Sequence, residues 1–231
     1  MKKIKRLLII PARSGSKRIK NKNIKNFFDK PIIHYPLKVA LKSNIFNKIH
    51  VSTDSKRIQK TVQIIGNFVD FLRPKNLSKD ETSLKTVINY VLNNYEKRGL
   101  RFDEVWIILP CSPLLRITDI KGCERLIKKY KKPIIAVSPY PAPISWSFQI
   151  KKNLIFNANE KKIRDKKLSK ISSFYDSGQI YCFPIEYLKK RKFNFNEKIY
   201  TYKLPLERSV DIDTKADWNF AKILFRGLSK S

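Results

Sequence analysis

Residues 7–23 read Leu7-Leu8-Ile9-Ile10-Pro11-Ala12-Arg13-Ser14-Gly15-Ser16-Lys17-Arg18-Ile19-Lys20-Asn21-Lys22-Asn23, and they fix what kind of sheet this chain can build. The apolar run at the head predicts a buried strand, stopped at Pro11, whose ring removes a ladder donor. Small residues follow, with the cations Arg13, Lys17, Arg18, Lys20 and Lys22. Ser14-Gly15-Ser16 lets the backbone approach a ligand and aim N–H groups at it, while the flanking side chains supply full positive charge. Ligands of open α/β sheets lie at the carboxyl ends of strands. A basic loop in that place reads as an anion cradle fit for a polyphosphate. The spacing of a Walker A loop is absent, as is a Gly-x-Gly-x-x-Gly fingerprint. Taken alone, the stretch is explained equally well as a solvated basic loop.

Outward from this loop the chain alternates between strand and helix. Apolar residues at helical spacing (Ile33, Leu37, Ala40, Leu41) predict a helix over 31–42 started by Pro31. A strand over 49–54, a helix over 55–65 and a short strand at Val69-Asp70-Phe71-Leu72 come next. A loop rich in Ser, Asp and Thr leads to a helix over 82–98, which Thr82 or Ser83 can cap. Val105-Trp106-Ile107-Ile108-Leu109 is the most apolar strand and is expected at the centre of the sheet. The rigid turn 110–116 after it would present Ser112 at the carboxyl edge. A helix over 119–130 and a strand over 133–137 continue the period. The alternation predicts an α/β domain spanning 1–231, with an open, mostly parallel twisted sheet and helices on both faces.

Between 139 and 174 the period is lost. Prolines, many lysines and short alternating runs such as Ser145-Trp146-Ser147-Phe148-Gln149-Ile150 replace it. Tyr140, Trp146, Phe148 and Phe156 are too many aromatics for a solvated tether, so this part reads as a small inserted β-rich lobe. Strand character returns at 180–183, a helix is expected over 184–191 and a strand over 199–204. Val210-Asp211-Ile212-Asp213 then alternates, and Thr214 caps a last helix to about 224.

Composition narrows the function classes. With 42% hydrophobic and 12% aromatic residues, 231 residues can bury a sizeable core. No apolar segment approaches the ~20 residues of a membrane span, and no h-region marks a signal peptide, so a cytoplasmic protein is expected. Cys111, Cys123 and Cys182 fit reduced packed thiols, and His34 and His50 fit structural roles. The formal charge of +31 brings nucleic acid to mind. The lysines are spread through every segment, however, and travel with abundant Asn and Ile, as a codon bias would produce. Lys128-Lys129, Lys131-Lys132 and Lys189-Lys190-Arg191-Lys192 fall at expected helix ends, where cations favour the dipole. Nucleic-acid binding is therefore the minority reading.

In a chain so poor in acids, Asp211 and Asp213 stand out. Residues two apart on an extended segment point to one side, so both carboxylates can face one Mg²⁺ at the sheet edge. A cation beside a polyphosphate suits phosphoryl or nucleotidyl transfer. The plainer role is that one of the pair caps the following helix.

Five motifs in order now carry a resemblance. Residues 10–18 with Lys22-Asn23-Ile24, then Val51-Ser52-Thr53-Asp54, Leu72-Arg73-Pro74, Cys111-Ser112-Pro113-Leu114 and Val210-Asp211-Ile212-Asp213-Thr214 with Asp217, closely resemble the cytidylyltransferases that activate sialic-acid-like nonulosonates. The resemblance runs over nearly the whole chain. It implies a Rossmann-like nucleotidyltransferase fold, with CTP as co-substrate and Mg²⁺ as cofactor. The implied reaction joins CTP to a nine-carbon α-keto acid sugar, giving a CMP-sugar and pyrophosphate. By the same resemblance Arg13, Ser16, Lys17 and Lys22 contact the triphosphate, Asn23, Arg73 and Ser83 read cytosine and ribose, and Asp211 and Asp213 are the metal ligands. Arg13, Lys22, Asp211 and Asp213 form the implied catalytic set.

Two departures bear on the sugar. Leu109 and Cys111 stand where sialic-acid members carry Gln and Thr around the turn. Tyr175-Asp176-Ser177-Gly178-Gln179-Ile180-Tyr181 replaces an Asn-Gly-Ala-Ile-Tyr type segment, and is similar to the Asp-x-Gly-Gln-x-Tyr run of the branch acting on pseudaminic acid. The resemblance thus offers Gln179 and Tyr181 as sugar contacts, with Ser112 and Arg164 beside them; Tyr181 serves equally as a buried strand aromatic. N-acetylneuraminic or legionaminic acid is the alternative substrate. The resemblance also implies a homodimer joined through the inserted lobe.

Overall fold

The computed structural model describes residues 4–144, 149–151, 154–156, 173–189 and 198–229. Along the chain, β1 (Arg6–Pro11) leads into the basic loop and then a small antiparallel pair, β2 (Asn26–Phe27) and β3 (Lys30–Pro31). Helix α1 (His34–Ser43), β4 (Lys48–Ser52) and α2 (Lys56–Gln63) follow. Next come α3 (Leu84–Glu96), β5 (Glu104–Ile108), α4 (Ile117–Tyr130) and β6 (Ile134–Pro139). A hairpin, β7 (Gln149–Lys151) with β8 (Leu154–Phe156), falls inside the expected lobe. The chain then forms β9 (Phe174–Pro184), the short helix α5 (Ile185–Lys189), β10 (Tyr200–Lys203) and α6 (Lys215–Leu228).

Six of these strands make the main sheet, in the order β10-β6-β9-β5-β1-β4. β1 pairs in parallel with both β4 and β5, and β10 pairs in parallel with β6, while β9 runs antiparallel between β5 and β6. β1 and β5 are near-continuous apolar runs because both faces are covered. Leu8, Ile10, Trp106 and Ile108 pack with α1, α2 and α4 on one side. Leu7, Ile9, Val105 and Ile107 pack with α3 and α5 on the other. Among the described residues no helix is long and apolar enough to cross a membrane.

The structure corrects the sequence expectation in two elements. Residues 69–72 are not a strand. They lie beside β4 through two isolated hydrogen bonds, Val51 N to Phe68 O and Arg73 N to Thr53 O, both 2.7 Å. The side chain of Asp70 is spent on Lys48 and Tyr95. The strand expected at 180–183 is an eleven-residue antiparallel strand, because Asp176, Ser177 and Gly178, which look like turn formers, build a bulge. Gly178 has φ +63°, the register slips between the partners Ile135 and Val137, and Asp176 Oδ1 accepts from Gly178 N at 2.9 Å.

A third cluster fixes the end of the chain over the basic loop. The ring of Phe27 meets those of Phe28, Tyr35, Trp218 and Phe225 edge-on, with centroids 5.1–5.6 Å apart. Ile19, Ile32 and Ile212 are buried in the same cluster. Thr214 caps α6 in a reciprocal capping box with Asp217. Ile212 thus faces inward, and its neighbours Asp211 and Asp213 are turned the other way.

Candidate active site

The carboxyl ends of β1 and β5 open into a cavity of about 610 Å³, a size that suits a nucleotide or a sugar. The basic loop makes one wall. Ala12 N continues the ladder to Ser52 O at 2.9 Å, after which the Ser14 backbone and hydroxyl both donate to Asp54, at 2.9 and 2.6 Å. Asp54 therefore pins the loop to the end of β4. Further on, Asn23 Nδ2 donates to Arg13 O at 2.9 Å, and Cys111 Sγ lies 3.5 Å from Asn23 Oδ1. The Asn23 side chain joins the loop to the turn that follows β5.

Residues 210–213 make the wall beside that loop. Lys22 Nζ donates to Ile212 O at 2.7 Å and to Asp213 Oδ1 at 3.0 Å, and Arg18 Nη2 reaches Asp213 Oδ2 at 2.7 Å. The two stretches that the sequence singled out, almost two hundred residues apart, meet at one cavity. Asp211 and Asp213 both line it but differ. Burial works against the Asp213 charge, yet hydrogen bonding and charge from Lys22, then Arg18, hold its carboxyl below the usual range. Burial, then the neighbouring charge of Asp213, raises that of Asp211. Among the described residues Asp211 has no cation within ion-pair distance. A Cβ at Gly178 would sit 3.6 Å from its carboxyl, an ordinary contact, so the positive φ of the bulge rather than space calls for glycine there.

The third wall is the loop after Pro74. Asp80 pairs with both Arg13 and Lys17, the latter at 2.8 Å. Arg73, 5% exposed, lines the cavity and donates to Ser78 Oγ at 3.0 Å; burial lowers its pKa against the pull of Asp54. Ser112 and Gln179 complete the lining from the β5 turn and from β9. Gln179 Nε2 donates to Arg208 O at 2.8 Å, and its buried Oε1 has no partner. A backbone carbonyl only accepts, so the amide nitrogen must face Arg208 and the oxygen is left to accept from something else.

Of the residues named from the sequence, Arg13, Ser16, Lys17, Lys22, Asn23, Arg73, Ser112, Gln179, Asp211 and Asp213 line this one cavity. Ser83 and Tyr181 do not. Ser83 Oγ is used as the cap of α3, accepting from Thr86 N at 3.1 Å. The Tyr181 hydroxyl donates to Asp176 Oδ2 at 2.9 Å. Arg164 lies outside the described residues. Sequence reasoning missed Asp80, read only as part of a polar loop, and gave Arg18 no partner. It also missed Arg208, whose guanidinium is buried against Asp119 and whose carbonyl holds Gln179. No motif marks Asp80; its signal was an acid in the loop facing a basic stretch.

Two oxygen donors on one cavity wall fit Mg²⁺, which takes one or two carboxylates and fills its shell with water and phosphate oxygens. Among the described residues no three His, Cys, Asp or Glu side chains gather into a cage. Burial disfavours the thiolate of Cys111, pushing the thiol up to about 12, with Asp211 and Asp213 adding to it against Lys22. His50 does not line the cavity. Burial lowers it to about 3, and it stacks on Phe71 with Nδ1 at 3.1 Å from the Tyr95 hydroxyl.

A model of the cytidylyltransferase family matches residues 7–225. The pseudaminic acid cytidylyltransferase of Campylobacter jejuni subsp. jejuni is 32% identical over 225 residues, 96% of this chain and 97% of that one. The CMP-N,N'-diacetyllegionaminic acid synthase of Legionella pneumophila subsp. pneumophila is 30% identical, over 92% of each chain. A solved structure of CMP:2-keto-3-deoxy-manno-octonic acid synthetase complexed with CTP matches with a TM-score of 0.72, over 97% of this chain and 99% of that one. At 17% identity this last likeness concerns the fold alone.

Proposed function

Since the chain belongs to the cytidylyltransferase family, we propose that its cavity joins CTP to a nonulosonic acid, with pseudaminic acid as the first candidate. The products are the CMP-sugar and pyrophosphate. The choice of sugar rests on the Campylobacter relative and on the run Asp176-Ser177-Gly178-Gln179-Ile180-Tyr181. Legionaminic and N-acetylneuraminic acid are the second reading, favoured by the Legionella relative.

In this mechanism the triphosphate lies against the basic loop, with Arg13, Ser16, Lys17 and Lys22 around its oxygens. Asn23 and Arg73 border the nucleoside, and Ser112 and Gln179 border the sugar. The anomeric hydroxyl attacks the α-phosphorus, the bond to the bridging oxygen breaks, and pyrophosphate leaves in line. Arg13 and Lys22 stabilise the charge that grows on the departing oxygens, so alignment and electrostatics do most of what catalysis requires. Asp211 and Asp213 would hold Mg²⁺, which when bound neutralises phosphate charge. Lys22 is already beside Asp213 and can contact both that carboxylate and a phosphate.

The observation that carries this reading is the meeting of Lys22 with Asp213 at 3.0 Å, which puts the cradle and the acidic pair on one cavity. Incubation with CTP, Mg²⁺ and each sugar acid should release pyrophosphate, fastest with pseudaminic acid. Release with none of them, or equal release with ATP, GTP and UTP, would sink the assignment. We further propose a cytoplasmic homodimer, joined through the lobe at 139–174. A monomeric mass at micromolar concentration would overturn that part.

A further inference from the structure

The cations proposed for the triphosphate already hold an anion. Arg13 and Lys17 both pair with Asp80, and all three side chains line the cavity. The pairing has electrostatic consequences on both sides: the hydrogen bond to Asp80 raises the Lys17 pKa, and those from Lys17 and Arg13 lower that of Asp80. Asp80 comes from the loop after Pro74, between Leu77 and Thr82, outside any helix or strand. The bridge is also solvent-exposed, Asp80 at 40% and Lys17 at 83%, so it is screened and exchangeable.

We propose that Asp80 is an internal competitor for the phosphate cradle, and so limits how tightly the cradle holds any phosphate ligand, product included. This rests on the reading of the cradle as the triphosphate site. A carboxylate and a phosphate make the same charge-assisted contacts with a guanidinium and an ammonium. Both cannot hold the same donors. A ligand entering the cradle must first displace Asp80, and that displacement raises the dissociation constant of every anion by a common factor. For a triphosphate, which carries several charges and meets further cations at Lys22 and Arg18, the factor is small beside the total affinity. For inorganic phosphate, which binds weakly and is abundant, the same factor keeps the cradle clear. It acts on the product as well: after transfer, Asp80 returns to Arg13 and Lys17 and helps to expel pyrophosphate. The loop that carries it is then the part of the wall that yields as substrate enters and closes as product leaves.

The test is calorimetric titration of CTP and, separately, of pyrophosphate and inorganic phosphate into the wild-type protein, Asp80→Asn and Asp80→Glu. Two exposed ion pairs set the scale, so Asp80→Asn should bind both CTP and pyrophosphate about three- to tenfold more tightly. Inhibition of turnover by pyrophosphate should deepen in parallel, and inorganic phosphate should become a measurable inhibitor. Asp80→Glu, which keeps the charge, should stay close to the wild type. Unchanged or weaker binding by Asp80→Asn overturns the proposal, as does an equal gain in Asp80→Glu. A wild-type protein that binds pyrophosphate but ignores CTP defeats the nucleotide reading and leaves this comparison intact. A wild-type protein that binds neither defeats both.

Discussion

Arg6 and Arg13 stand at opposite ends of the stretch that opens the sheet, and their surroundings differ as a rivet differs from a latch. Arg6 is 7% exposed; its Nε donates to Glu104 at 2.8 Å and its Nη1 lies 3.2 Å from Glu124. The Trp106 indole donates to the same Glu104 oxygen at 2.9 Å. Arg13 and Lys17 share the exposed Asp80, and Arg18 and Lys22 share Asp213, across an open cavity. The residue types are the same and the consequences opposite. A buried charge whose partners are fixed cannot lose one cheaply, whereas pairs in water exchange partners at little cost. One end of the strand secures the fold and the other is free to take a ligand.

The largest expected effect tests the buried end. Arg6→Met leaves the buried Glu104 carboxylate without its cation, while Glu124 keeps Lys128 at 2.8 Å, and should lower unfolding stability by about 3–5 kcal/mol in urea titrations. CTP affinity of the folded fraction should stay within about twofold of the wild type, since no cavity group is touched. A protein of normal stability with weakened CTP binding would erase the contrast between the two ends.

At the open end Asp211→Asn should do the reverse. Removing one of the two carboxylates proposed to hold Mg²⁺ beside the reacting phosphates should lower kcat by about 10²–10³-fold. Stability should rise. The Asp211 pKa is raised in the folded protein, so its charge opposes folding: the penalty is absent below the unfolded value and develops as pH climbs through the folded one. Asparagine removes it, and the gain in melting temperature over wild type should therefore be seen at pH 7 and vanish near pH 3. Asp80 and Asp213 have lowered pKa values and the opposite sign. Their pairs support the fold above the unfolded carboxyl range and are lost as pH falls through the folded values. A loss of both activity and stability in Asp211→Asn would instead make that carboxylate part of the scaffold.

What the sequence revealed follows the same division. β1 and β5 were legible because strands covered on both faces leave continuous apolar runs, and Leu7 to Ile10 and Val105 to Ile108 are such runs. The meeting of Lys22 with Asp213 was legible only through motif order, since nothing local ties residues 191 apart. β9 was half hidden because Asp176, Ser177 and Gly178 carry turn chemistry, which the chain spends on a bulge inside a strand. Residues 69–72 looked like a strand on apolar content, but an edge segment needs more than two hydrogen bonds to form a ladder. Asp80 was invisible for a physical reason: an exposed loop acid has no periodicity, and only the approach of Arg13 and Lys17 from across the cavity gives it meaning.

The β9 side of the site offers a smaller effect. Tyr181→Phe removes the hydroxyl that holds Asp176 Oδ2 and with it part of the support of the Gly178 bulge. A positioning role predicts a rise of a few-fold in sugar KM, about the value of one hydrogen bond of ~1 kcal/mol, with CTP KM unchanged. A loss of a hundredfold or more would indicate that the hydroxyl meets substrate directly, as its position in the motif first implied.

Ser83 gives the smallest change and the sharpest division between scaffold and site, because it stands one residue from the cavity residues Thr82 and Leu84. Its oxygen accepts from Thr86 N, so Ser83→Ala should cost about 1 kcal/mol of stability through the lost cap of α3. Ser83→Asn and Ser83→Asp keep a capping acceptor while changing the group that a ribose would meet. If Ser83 is only the cap, both should restore stability, and CTP KM should match wild type in all three variants. If the hydroxyl also reads ribose, KM should rise in the asparagine and aspartate variants even though the helix is restored. Stability and affinity measured on the same three proteins thus separate a residue that builds the cavity wall from one that uses it.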